Sequence, residues 1–225
     1  MEKVTSADNA KTRALLACGV VAGPLFIIVG VIQMFTREGF DIRLHALSLL
    51  TAGDLGWIQS LNFLVTGALI IAGAVGLNRS MQSGRGRTWG PILLGLFGLG
   101  WFGSGIFPAD PGLGFPPGAP EIAAFTTNGM IHFGIGGIGF LCFIAACFLF
   151  ARRFKSFGER GWSRYSLITG ILFFVTFAGI ASGSKGPFSL YFFLGASFGL
   201  VWLSMVLARL MKDQNSQTKN SIDNI

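Results

Sequence analysis

The sequence of 225 residues is 52% hydrophobic and 12% charged, whereas an ordinary soluble domain is about 25% charged. Such a chain cannot cover a water-facing surface, and its formal net charge of +7 comes from basic residues that flank apolar runs. Because a nucleic-acid-binding protein needs a basic stripe on a soluble module, nucleic acid is excluded as a partner. The 33 glycines predict close helix packing in a membrane, where small residues let helix backbones approach.

Six uncharged apolar runs are long enough to cross a bilayer as helices, which takes about 20 residues each. Because the runs are continuous and do not alternate with period two, they predict helices rather than barrel strands. The sequence therefore predicts an all-α polytopic bundle over residues 14–210, between an N-terminal segment, 1–13, and a disordered tail, 211–225. The six runs cover residues 14–35, 57–78, 89–107, 127–151, 165–183 and 190–208.

The basic residues of the connections predict how the helices thread, since Lys and Arg near the ends of spans are retained in the cytoplasm. Fourteen of the 17 lie on the side of the two chain ends, and three lie on the other side, namely Arg37, Arg43 and Lys185. We therefore expect a multi-pass protein of the cell membrane, such as a bacterial inner membrane, with its N-terminus and C-terminus in the cytoplasm.

The first outer loop carries a pattern typical of a short helix in the membrane interface. Asp41, His45 and Ser48 recur at helical spacing, and three leucines take the opposite side. An Asp-His-Ser set is also compatible with a nucleophile, although a solvated helix face explains the same spacing. The leucines are Leu44, Leu47 and Leu50.

The second outer loop is predicted to be a rigid cap. Its five prolines and three glycines between Phe107 and Pro120 forbid regular helix and favour fixed turns. Asp110 is expected either to organise this turn or to belong to a site, and Asp54 either to cap the second helix or to belong to the same site.

An internal repeat is a further hypothesis. The even-numbered runs begin with similar triplets, Leu61-Asn62-Phe63, Ile131-His132-Phe133 and Leu190-Tyr191-Phe192. Three repeated helical hairpins would resemble the parallel repeats of some transporters and would place Asn62, His132 and Tyr191 at one depth. Chance similarity between helices rich in Phe and Gly is the alternative.

The outer side holds the residues that could carry chemistry. No Asp, Glu, Lys or Arg lies within the six runs, which disfavours ion transport through buried carboxylates. His132 is the one histidine within a run, and it could be a base, a metal ligand or a structural hydrogen-bonding group. Since His45, Asp110 and His132 lack a diagnostic metal spacing, they are weak metal candidates, and we expect no metal and no cofactor.

Five segments in this order resemble a prokaryotic membrane family catalogued as domain of unknown function 998, over roughly residues 15–210. The resemblance implies a multi-span bacterial or archaeal membrane protein and brings no established activity, cofactor or catalytic residue. Its polar motif positions are the outer-side residues His45, Ser48, Asp110 and His132. The segments are Arg43–Ser48, Gly56–Gln59, Asn62–Phe63, Phe107–Pro111 and Gly129–His132.

Our leading hypothesis from the sequence is an outward-opening pocket that binds or transports a lipid headgroup or a small polar metabolite. One alternative is a membrane-embedded hydrolase or transferase with His45, His132 or Asp110 in catalysis; another is a structural or regulatory subunit of a membrane complex. The expected partners are membrane lipids, with a membrane-protein partner or a homo-oligomer left open. The predicted pocket residues are His45, Asp54, Asn62, Asp110, His132 and Tyr191.

Overall fold

The computed structural model describes residues 6–183 and 187–222, with side chains described for 7–183 and 187–212. All six α-helices are long and apolar enough to cross a membrane, so the predicted multi-pass helical bundle is confirmed. A 3-10 helix, η1 (Leu47–Thr51), lies between the first two α-helices. The α-helices are α1 (Ser6–Thr36), α2 (Gly56–Ser80), α3 (Trp89–Ile106), α4 (Thr127–Ser156), α5 (Arg160–Ala181) and α6 (Phe188–Ile222).

The six helices form a closed ring. Each packs against the next one along the chain, and α6 packs back against α1. We call outer the side that carries the α1–α2, α3–α4 and α5–α6 connections, and inner the side of the chain ends. The ring is filled by large buried side chains, among them Phe97, Phe143, Phe150 and Trp202, and the Trp202 indole donates a hydrogen bond to Ser166 at 3.0 Å.

Glycines allow neighbouring helices to touch through their backbones. A Cβ added to Gly67 of α2 would lie 2.5 Å from the Phe102 nitrogen and 2.7 Å from the Gly98 oxygen, both on α3. At Gly100 of α3, an added Cβ would lie 3.0 Å from the Gly139 Cα of α4. Many of the glycines therefore serve contacts between neighbouring helices of the ring.

Two predicted segments are corrected. The first outer loop contains a short helix, but η1 has only five residues and begins at Leu47, so the predicted face with Asp41 and His45 does not form. Two of the residues also have the opposite exposure to the one predicted, because His45 is buried whereas Leu44 is 57% exposed. In the tail, α6 continues to Ile222, so the prediction of disorder is wrong for residues 211–222. This stretch contains no proline or glycine that would break the helix. Residues 223–225 lie outside the described residues.

Candidate functional site

A cavity of about 530 Å³ lies in the outer part of the ring, between α4, α5 and α6 and the outer ends of the other helices. Pockets for small molecules have about 300–1,000 Å³ and mostly apolar walls, and this cavity fits both criteria. Its roof is the segment Ala46–Ser48, which comprises the N-cap and the first two residues of η1. Aromatic rings form much of the wall, including Phe26, Phe63, Trp101, Phe140, Phe177 and Phe192.

His132 is the one ionisable residue among the described residues that line the cavity. Its Nδ1 lies 2.7 Å from the Phe107 backbone oxygen and 3.2 Å from the Ser104 backbone oxygen. Both carbonyls are at the end of α3, where no further helical N–H groups follow to bond to them. Because a carbonyl only accepts, these partners assign the proton of the neutral ring to Nδ1. Nε2 is then an acceptor, and it has no hydrogen-bond partner among the described residues.

The remaining polar side chains of the cavity wall are uncharged: they are four serine hydroxyls and the indole of Trp101, whose N–H has no hydrogen-bond partner among the described residues. Ser104 donates to the Gly100 oxygen at 2.9 Å, and Ser189 donates to the Leu44 oxygen at 3.0 Å, so each keeps only acceptor capacity. The other two hydroxyls belong to Ser48 and Ser197. The described wall therefore offers hydrogen bonds without formal charge.

His45 joins the two outer loops instead of facing the cavity. Its Nδ1 accepts from the Asp41 backbone N–H at 2.9 Å, and its Nε2 lies 3.0 Å from the Leu113 oxygen, so both ring nitrogens are used. The Asp41 carboxylate pairs with Arg43 at 2.7 Å, and hydrogen bonds from Arg43 lower the pKa of Asp41 from 3.8 to about 2. The described contacts of Asp41, His45 and Ser48 do not form a catalytic triad.

Asp110 fixes the second outer loop to the start of α4. Its carboxylate accepts the Thr126 backbone N–H at 2.8 Å and the Thr126 hydroxyl at 2.5 Å, while Thr126 caps α4 by accepting the Gly129 N–H. A carboxylate is favourable at a helix N-terminus, where the backbone dipoles leave partial positive charge. Asp110 is thus a loop anchor, and its carboxylate does not line the cavity.

Asn62 belongs to a buried amide cluster between α1 and α2. Its Nδ2 donates to the Gln59 side-chain oxygen at 3.2 Å and to the Phe26 backbone oxygen at 3.3 Å. Gln33 donates to the same Gln59 oxygen at 2.7 Å. The cluster lies behind the cavity wall formed by Phe26 and Phe63, and it links α1 to α2.

The last two predicted pocket residues lie elsewhere. Asp54 is exposed, and α2 has no side-chain cap, so Asp54 is not its N-cap. Tyr191 is 49% exposed and borders a separate groove on the outside of α5 and α6. Of the six predicted residues, all within the described part of the chain, only His132 lines the cavity.

The histidines and carboxylates do not converge on a metal. No group of three or more His, Cys, Asp or Glu that could hold an ion occurs among the described residues. His45 and Asp110 are each bonded to loop backbone, and among the described residues no hydrogen bond joins either of them to His132. The hydrolase hypothesis needs such a shared centre, because bases and ligands act within about 3 Å of their targets.

Comparison with known proteins gives a family and no function. A family model described as a protein of unknown function (DUF998) matches residues 20–209, which cover the membrane-spanning core. No curated protein and no solved structure matches the chain.

Proposed function

The chain belongs to the DUF998 family of proteins of unknown function, and we propose that it binds a lipid-derived molecule in its outer cavity. The observation that carries the proposal is the cavity of about 530 Å³ with mostly aromatic and aliphatic walls and a single imidazole. A wall of this kind suits a ligand with an apolar body. It is a poor match for the small polar metabolite expected from the sequence, because most of the predicted polar residues lie outside it.

The position of the cavity mouth supports access from the membrane. Phe125, just before α4, and Phe133, on its second turn, line the cavity and are 76% and 54% exposed. Ala181 and Gly183 at the outer end of α5 also line it and are exposed. Aromatic side chains at such a rim suit the boundary between headgroups and acyl chains, so a lipid can reach the cavity from the outer leaflet.

Filling the cavity should remove binding. Gly137 lines the cavity, and its added Cβ would have as nearest neighbour the Phe177 ring at 3.8 Å, so Gly137→Leu places its side chain in free space. We expect saturable photolabelling by a diazirine-bearing hexadecane, measured in lipid nanodiscs and mapped by mass spectrometry, to fall by about tenfold or more, equivalent to about 1.4 kcal/mol.

The matched control is Gly134→Leu on the same helix. Gly134 is exposed, has nothing within 4 Å of an added Cβ and does not line the cavity. It should therefore leave labelling unchanged. Equal labelling of both variants, or only non-saturable labelling of the unaltered protein, would show that the cavity is not a binding site.

We also propose that the protein sits in the cell membrane with both chain ends in the cytoplasm. Six crossings are an even number, so both ends share one side, and the excess of Lys and Arg on that side supports a cytoplasmic location. The cavity would then open to the outside of the cell.

Thiol labelling in intact cells tests this orientation. Gln82→Cys, in the exposed inner connection, should be protected from a membrane-impermeant maleimide, whereas Ala124→Cys, in the exposed second outer loop, should react. Lysed cells supply the control, because both sites should then react. Labelling of Gln82→Cys in intact cells would reverse the orientation.

A further inference from the structure

The cavity also indicates what kind of headgroup it accepts, an inference that rests on the proposed function. We infer that the ligand is an uncharged lipid whose hydroxyl group donates a hydrogen bond to His132 Nε2, as in a long-chain alcohol, an isoprenoid alcohol or an acylglycerol. The feature behind this inference is an imidazole in an apolar wall with one nitrogen bonded and the other open.

The bonded nitrogen fixes the role of the open one. His132 is buried, and Nδ1 points to the Phe107 and Ser104 oxygens. The ring is held edge-on to Phe63, with centroids 5.9 Å apart, and also contacts Phe133 at 5.4 Å. Turning the ring to offer an N–H to the cavity would leave carbonyls of the α3 end unpaired, which is unfavourable in a buried position. The cavity therefore receives an acceptor, and its ligand must supply a donor.

The charge of the wall decides between possible donors. No Asp, Glu, Lys or Arg lines the cavity among the described residues, so a phosphate or ammonium group would lose its hydration without gaining a counter-ion. An anionic phosphate also has few protons to donate. A hydroxyl loses far less hydration, donates to Nε2, and can accept from a wall hydroxyl such as that of Ser48 or Ser197.

Two serines of the wall add further acceptors beside the histidine. Ser104 and Ser189 keep their protons on backbone oxygens, so they too present only lone pairs to the cavity. The acceptors on the wall thus match a ligand that brings its own proton donor and an apolar chain.

The test compares three photoreactive probes with the same diazirine-bearing chain: hexadecane, hexadecanol and hexadecyl phosphate. In nanodiscs holding the full chain, we expect hexadecanol to label the cavity at about fivefold to tenfold lower concentration than hexadecane, the effect of one hydrogen bond in an apolar site. Hexadecyl phosphate should need at least about tenfold more than hexadecanol.

His132→Asn separates binding from structure. The Asn side-chain N–H can still donate to the Phe107 and Ser104 oxygens, whereas the acceptor at Nε2 is lost. The ratio of hexadecanol labelling to hexadecane labelling should fall to about one, whereas a merely structural role would lower labelling by both probes together.

The outcomes distinguish the two proposals. Equal labelling by hexadecanol and hexadecane would overturn the hydroxyl assignment and leave the cavity as a binding site, whereas no saturable labelling by any probe would overturn both. A preference for hexadecyl phosphate would also overturn the assignment.

Discussion

Replacing Gly67 with alanine is expected to destabilise the protein by about 1 to 3 kcal/mol, the usual effect of forcing extra volume into a packed contact. The added Cβ would lie 2.5 Å from the Phe102 nitrogen and 2.7 Å from the Gly98 oxygen. Because both neighbours are backbone atoms of α3, no side chain can turn away, and α2 and α3 must separate. Unfolding by SDS in mixed micelles measures the loss.

The control is Gly134→Ala on α4, where an added Cβ meets nothing within 4 Å. This variant should keep or gain stability, by up to about 1 kcal/mol, because alanine favours helix more than glycine does. Two variants with the same change in composition thus have opposite expected signs. Equal destabilisation at both positions would contradict the close backbone contact between α2 and α3.

The helical bundle could be predicted from the sequence because the cost of placing charge in hydrocarbon is large and local. Each uncharged run of sufficient length is expected to become a span, and all six runs form helices that are long and apolar enough to cross a membrane. The end of α6 could not be found in this way, since polar residues beyond a span carry no such constraint. There, helix or disorder depends on small backbone preferences.

The side-chain directions of the candidate residues were harder to predict. The similar triplets around Asn62, His132 and Tyr191 align the residues along the chain, but the rotation of each helix is set by packing against its neighbours. Asn62 and His132 face inward, whereas Tyr191 faces outward, so the common site suggested by the triplets does not form. The repeat itself stays a prediction.

Polar residues of the outer loops were over-interpreted for a physical reason. A loop that leaves regular structure has backbone groups to satisfy, and His45 and Asp110 bond to such groups at Leu113 and Thr126. The sequence shows the residue type but not whether its hydrogen-bonding capacity is already used. His132 differs because only one of its two nitrogens is used.

An outer pocket was predicted, but most of the residues that line it could not be identified from the sequence, because small residues have two opposite uses. Gly67 permits backbone contact, whereas Gly137, Ala196 and Ser197 line open space. Both patterns look alike in a sequence, since each is a small residue in an apolar helix. Whether the gap closes depends on large residues from distant helices, such as Phe177, and this depends on the assembled ring.

A second large effect is expected in the roof of the cavity from Arg37→Met. Arg37 donates to the Ala52 oxygen at 2.7 Å and to the Leu50 oxygen at 3.1 Å, and it lies over the Phe115 ring at 5.4 Å. Burial lowers its pKa, yet a guanidinium stays charged. Losing two hydrogen bonds from a charged group should make local opening of the η1 segment easier by about 2 to 4 kcal/mol, measured as faster amide hydrogen exchange at Leu49.

Arg43→Met is the matched control, because the same substitution in the same loop removes a different kind of contact. The Arg43 side chain is 70% exposed, and among the described residues it pairs only with Asp41. Exposed pairs contribute little to stability. Exchange at Leu49 should therefore stay unchanged, while the pKa of Asp41 rises from about 2 toward 3.8. Equal acceleration of exchange in both variants would show that the positive charge of the loop, and not the Arg37 contacts, holds the roof. Acceleration in Arg37→Met alone would show that the roof of the cavity depends on the Arg37 side chain.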